Sequence, residues 1–212
     1  MSPPPGNTES ARSSAPSTEV VFQRVARSGQ IPLLTDDARD LLLRRLPPPP
    51  LPQGGYVPAI AHSGLVVTAG MTPRINGVLH HCGQVGAELT VEAAREAAAI
   101  AADNALAAAV AALAPGERLN RVLRLTVYVN AAPGFTAHTE VADGASARLR
   151  ELLADRGAAV RAAVGVTSLP GGSCVELELT CAYGTAQQGN GQPVACGPPR
   201  GQEETAAPAR PS

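Results

Sequence analysis

A run of alanines constrains this chain more than any other feature. Between Thr90 and Leu113 small residues dominate, and Leu106, Val110 and Leu113 recur at spacings of four and three. That is the period of a helix with one apolar stripe. Thr90 stands where an N-cap belongs, and Glu92 lies in the first turn, where the helix dipole favours an acid. Pro115-Gly116 ends the segment. A helix made this way is thin and can lie close on a sheet.

The flanking segments supply the strands. Leu65–Met71 (LVVTAGM) reads as a buried strand, and Ile75–Val85 as a strand or hairpin with Asn76-Gly77 as its turn. Arg121–Asn130 alternates, with Leu123, Leu125, Val127 and Val129 facing one way and Arg124, Thr126 and Tyr128 the other. A second helix is predicted over residues 139–155, with Val141, Ala145, Leu149 and Leu152 on one stripe and Gly157 as its stop. Val160–Val166 and Cys174–Ala182 then read as two strands closing a hairpin through Thr167–Ser173. The order is β-β-α-β-α-β-β, with room for one more strand near Tyr56. This is an α+β pattern: a mixed sheet with both helices packed on one face. Two helices cover only one face, so the face carrying Thr126 and Tyr128 needs a partner or solvent, and self-association is the expected answer.

Outside this region the pattern changes. Residues 36–46 (DDARDLLLRRL) predict a short amphipathic helix, stopped by Pro47–Pro50. Residues 1–18 and 185–212 are rich in Pro, Ser, Gly and Gln and are expected to be disordered tails. The expected organisation is therefore a tail over 1–18, an N-terminal extension with the short helix over 19–50, one domain over 51–184, and a tail over 185–212.

Composition then removes several functions. All 17 basic residues are Arg, which excludes a lysine Schiff base and a Walker A phosphate loop. The net charge is −1, with three Tyr, two Phe and no Trp, so neither a basic footprint nor a base-stacking platform is present and nucleic acid is not an expected partner. No apolar run approaches the roughly 20 residues of a membrane span. The start, MSPPPGNTES, has no basic segment followed by an apolar stretch, so a cytoplasmic location is expected. Cys82, Cys174, Cys181 and Cys196 form no C-x-x-C pair.

Chemistry is expected near the last two strands. Arg161 shares its strand face with the small residues Ala163 and Gly165, while Glu176 and Glu178 share a face of the last strand. In a hairpin centred between Ser168 and Leu169, Arg161 would face Glu176. A guanidinium with small neighbours suits a bidentate grip on a carboxylate, and the acid can direct water. The same two residues also fit an exposed ion pair contributing only ~0–1 kcal/mol. Elsewhere, His80, His81 and Cys82 cluster without a second ligand pair, and no metal is expected. Ser63, Ser146 and Ser173 lack a nucleophile elbow. Cys174 and Cys181 read as small strand residues, and His138 as a surface histidine.

These residues carry a resemblance. Leu51–Tyr183 resembles the RidA/YjgF (reactive intermediate deaminase, "endoribonuclease L-PSP") family through PQGGYVPAIAHSGLVVTAGMTP, RVLRLTVYVNAAPGF and, most specifically, VRAAVGVTSLPGGSCVELEL with its interval from Arg161 to Glu176. The resemblance implies a chorismate-mutase-like fold assembled as a homotrimer with clefts between subunits. It implies cofactor-independent hydrolysis of 2-imino or 2-enamino acids to 2-oxo acids and ammonia. By this likeness Arg161 grips the carboxylate of the small imine or enamine substrate, and Glu176 positions water. Tyr56, Gly70 and Ala163 line the cleft, joined by Ala69, Tyr128 and Asp143.

Three of these positions depart from the family pattern. Ala69 stands for a usual Ser or Thr, Ala163 for a frequent Cys, and Asp143 for a frequent Asn. An acid pointing at the anion site would weaken carboxylate binding. The alternatives are therefore a tailoring or ring-closing enzyme acting on a specialised metabolite, and a non-catalytic ligand-binding trimer.

Overall fold

The computed structural model describes residues 34–185. The tail expected over 1–18, residues 19–33 of the N-terminal extension, and all but the first residue of the tail expected over 185–212 lie outside the described residues; Thr185 itself ends the last strand. The described chain opens with helix α1 (Asp36–Arg45), whose N-cap Thr35 accepts from the Ala38 amide. A proline-rich stretch leads to β1 (Ala59–His62) and β2 (Leu65–Thr68), then to a small hairpin of β3 (Arg74–Ile75) and β4 (Val78–Leu79). Asn76 and Gly77 both take positive φ there, 51° and 80°, as a two-residue hairpin turn requires.

The alanine-rich helix forms as α2 (Val91–Ala111), capped by Thr90, whose hydroxyl accepts from the Ala93 amide at 3.2 Å. Strand β5 (Glu117–Asn130) follows, then helix α3 (His138–Leu153), a short 3-10 turn (Ala154–Gly157), β6 (Val160–Val166) and β7 (Val175–Thr185). One five-stranded sheet has the order β1-β2-β7-β5-β6. All its pairs are antiparallel except β5 with β6. This is the mixed α+β sheet with its two long helices on one face; α1 adds a third helix.

The core lies between that face and the helices. Leu106 from α2, Val141, Ala145 and Leu149 from α3, and Leu125, Val127, Leu177 and Leu179 from the sheet are buried. Each fully buried large side chain contributes roughly 1.5–3 kcal/mol. The alanines of α2 allow the close approach that the sequence implies: Ala94, Ala97, Ala98, Ala101 and Ala105 are fully buried. Where α2 meets α3, a Cβ at Gly144 would collide with the Arg95 carbonyl. Arg148 of α3 clamps Asp103 of α2 through Nε–Oδ1 at 2.7 Å and Nη2–Oδ2 at 3.1 Å.

Three strand expectations need correction. The segment Leu65–Met71 is a strand only to Thr68, and Leu65 and Val67 face outward while Val66 and Thr68 are buried. In β5 the ladder with β7 shifts between Val122 and Arg124. That bulge turns Leu123 outward, 37% exposed, and Val122 inward. Most consequentially, β6 and β7 are not a hairpin. Strand β5 lies between them, parallel to β6 and antiparallel to β7.

Candidate active site

The packing of α3 along β6 places Arg161. Because β5–α3–β6 is a crossover between parallel strands, α3 runs antiparallel to β6. The first residue of α3, His138, therefore lies over the far end of β6, where its ring covers Gly165 so closely that a Cβ there would collide with Nε2. Phe135 meets this ring edge-on, with centroids 5.1 Å apart. Further along α3, Asp143 and Ser146 share a face at a spacing of three and meet the start of β6. Arg161 Nη1 donates to Asp143 Oδ1 at 2.7 Å and to Ser146 Oγ at 2.9 Å. Nε and Nη2 of Arg161 make no hydrogen bond among the described residues. That edge is the one a carboxylate grips bidentately. Ala163 follows two residues later on the same side, a small side chain partly buried against the core.

Glu176 belongs to a second group, on the open face of the sheet. Its carboxylate rests against Gly70, leaving no room for a side chain there. Gly70 sits where the chain leaves β2 and returns to β7 through Met71, whose amide donates to the Leu177 carbonyl at 2.7 Å. Ala69 precedes it, half-buried against the core. Tyr128 is level with Glu176 across the β5–β7 ladder, and its hydroxyl donates to Glu178 Oε1 at 3.3 Å. Burial pushes the Glu176 carboxyl above its usual range, and the like charge of Glu178 adds to this. The Tyr128 phenol is also pushed up, first by burial and then by Glu178. An acid whose pKa moves toward neutrality is better matched to taking a proton from water.

The expected contact between Arg161 and Glu176 does not exist within one chain. Arg161 is level with Leu125 and Leu179, on the helix-covered face. Glu176 is level with Tyr128 and Val164, on the open face. Two strand spacings, about 10 Å, and the sheet itself separate them. Tyr56 lies apart from both groups, in the loop before β1, half exposed, with its hydroxyl accepting from the Gln53 amide at 3.3 Å.

The other candidates fall as follows. Burial pushes the Cys174 thiol up to about 11 and the Cys181 thiol up to about 12, which removes the thiolate a nucleophile needs. Among the described residues, no group of three or more His, Cys, Asp or Glu side chains converges to hold a metal. His81 Nε2 lies 3.8 Å from a Glu96 oxygen instead. Ser146 and His138 are neighbours of the Arg161 strand that their sequence context does not reveal. The spacing of Ser146 from Asp143 on one helix face is the signal that pairs it with Arg161.

Comparison with known proteins follows the same span of chain. The family model described as Endoribonuclease L-PSP matches residues 48–183. Protein TCP17 of Trypanosoma cruzi is 34% identical over 137 residues, covering 63% of this chain and 84% of that protein. Among solved structures, protein Atu1372 of Agrobacterium tumefaciens, described as of unknown function, aligns with a TM-score of 0.61 at 27% identity, over 79% of this chain and 100% of that one. A Shewanella oneidensis MR-1 protein described as an endoribonuclease candidate aligns with a TM-score of 0.62 at 27% identity, over 68% of this chain and 98% of that one.

Proposed function

The chain belongs to the RidA/YjgF family, described as endoribonuclease L-PSP, and on that premise we propose that it hydrolyses 2-imino and 2-enamino acids to 2-oxo acids and ammonia. The observation that carries this reading is Arg161, held by Asp143 and Ser146 through one nitrogen while its Nε–Nη2 edge stays available. Such an edge fits the carboxylate that every 2-imino acid carries. Glu176, with its raised pKa and its carboxylate against the backbone at Gly70, directs water at the C=N carbon. The chain has no lysine, and none is needed, because the imine arrives already formed.

The two groups lie on opposite faces of one sheet, so the reading requires a second copy. Strand β6 is the sheet's edge and presents Arg161. The open face presents Glu176 together with the exposed apolar residues Ile60, Leu65, Val67 and Val164. An edge of one copy seated on the open face of the next is a head-to-tail contact, which closes into a ring when the rotation permits. A homotrimer satisfies this and supplies three clefts. RNA fits the open face poorly, since Glu176 and Glu178 repel phosphate there.

The test is ammonia release from an enzymatic generator of 2-aminoacrylate. Wild-type protein accelerates it, and Arg161→Ala lowers kcat/KM by about 100-fold or more, the loss of a bidentate charged contact of roughly 3 kcal/mol. Light scattering should give the same particle mass for the variant and the wild type. Undiminished turnover in that variant would remove Arg161 from the site.

A further inference from the structure

We infer that Asp143 selects the protonated form of the substrate, so that the site takes a zwitterion carrying a carboxylate and a cationic nitrogen on the adjacent carbon. The inference rests on the reading of Arg161 given above and deepens it.

Asp143 Oδ1 accepts from Arg161 Nη1 at 2.7 Å, while Oδ2 carries no hydrogen bond among the described residues. The Asp143 side chain is 48% exposed and that of Arg161 is 21% exposed. Ser146 takes the second bond from the same nitrogen, so Nε and Nη2 keep no hydrogen-bond partner among the described residues. The receptor is therefore a cation and an anion side by side, each with one free edge. A simple carboxylate entering this site gains the guanidinium but meets Asp143 as a like charge. A ligand with an N–H cation beside its carboxylate meets both partners with the correct sign. Asp143 Oδ2 accepts from that nitrogen, and Arg161 holds the carboxylate.

The chemistry follows from the charge. A 2-iminio acid is a zwitterion, and its protonated C=N is the form most open to attack. Water adds its oxygen to that carbon and the C–N bond breaks. Both of the water's protons leave with the nitrogen as ammonium, and the 2-oxo acid remains as an anion. Substrate and products balance in atoms and charge. The product has lost the cation that Asp143 accepts from, so the same carboxylate that favours substrate entry disfavours product retention.

Alanine and pyruvate share a carbon skeleton and differ in carrying a cationic nitrogen or a carbonyl oxygen, so they are the probes. Titrations of the full chain followed by NMR should show wild-type protein favouring alanine by about ten-fold or more, the worth of one hydrogen bond to a charged group. Asp143→Asn keeps an acceptor for Arg161 but removes the charge, and should bring the two affinities level or favour pyruvate. Arg161→Ala should lose both probes. A wild-type protein that does not favour alanine, including one that binds neither probe, overturns the inference. So does an Asp143→Asn variant with an unchanged preference; if Arg161→Ala has still lost both ligands, the reading of the site survives. Retention of both probes by Arg161→Ala brings down the reading of the site itself.

Discussion

Glu176 holds its proton more tightly in the folded chain than in the unfolded one, because burial and the neighbouring Glu178 both disfavour its charge. The sign of the linkage follows. With the folded pKa raised, the contribution of this group to stability is fully present below the unfolded value of about 4.3 and is lost as pH rises through the folded value. Glu176→Gln removes the desolvated charge. The variant should therefore melt above wild type at pH 7, with the gap shrinking as pH falls below the folded pKa. A gap that is constant across the acid range would mean that Glu176 titrates alike in both states. The substitution should also abolish ammonia release, since an amide cannot take the proton of water. Stability and activity then move in opposite directions at one residue. Arg161 and Glu176 were legible as candidates because charge stands out on strands of Val, Ala and Leu. The hold of Asp143 on Arg161 was not, because it depends on how α3 lies along β6, a tertiary fact that spacing alone does not contain.

At the scale of elements, α2 and α3 are set by their residue types. Thr90 caps, alanine thins, and Val141, Ala145 and Leu149 make one stripe that the sheet buries. The helices were therefore readable from periodicity and caps. Their contact adds a constraint that periodicity does not show: Gly144 touches the Arg95 carbonyl. Gly144→Ala improves helix propensity by up to about 1 kcal/mol, yet it should destabilise the protein overall. Overpacking at such a contact costs roughly 1–3 kcal/mol or more, because backbone rather than a flexible side-chain end must move. A melting temperature lowered by about 5 °C would match this; one that rises would show that the helices can separate freely. Strand pairing is where the local sequence misleads. Val160–Val166 and Val175–Thr185 are joined by a short Pro-Gly-Gly segment, which looks like a hairpin locally. The decision is made by β5, whose Thr126, Val127 and Val129 are buried because it is paired on both sides. Such a central strand intercepts the apparent hairpin, and no local signal in residues 160–182 reports it.

For the whole molecule, the separation of Arg161 from Glu176 leads to a prediction about mixed assemblies. If each cleft takes Arg161 from the β6 edge of one copy and Glu176 from the open face of the next, then Arg161→Ala and Glu176→Gln chains, each inactive alone, complement one another. In a trimeric ring any mixture contains one junction where an intact Arg161 meets an intact Glu176. Random mixing at equal amounts makes about three quarters of the rings mixed, so roughly a quarter of wild-type activity returns. Unfolding and refolding the two variants together, then measuring ammonia release against separately refolded controls, reads this directly. If activity returns in neither case while native mass spectrometry shows mixed rings, both groups act from one chain, and the sheet would have to open to let them meet. The apolar residues of the open face decide the same question from another side. Val67→Glu places a charge amid Ile60, Leu65 and Val164 and should leave folded single chains without activity, with the helical circular dichroism unchanged. Such a chain keeps Arg161, Asp143 and Glu176 intact, so its inactivity would belong to the missing neighbour and to no residue of its own site.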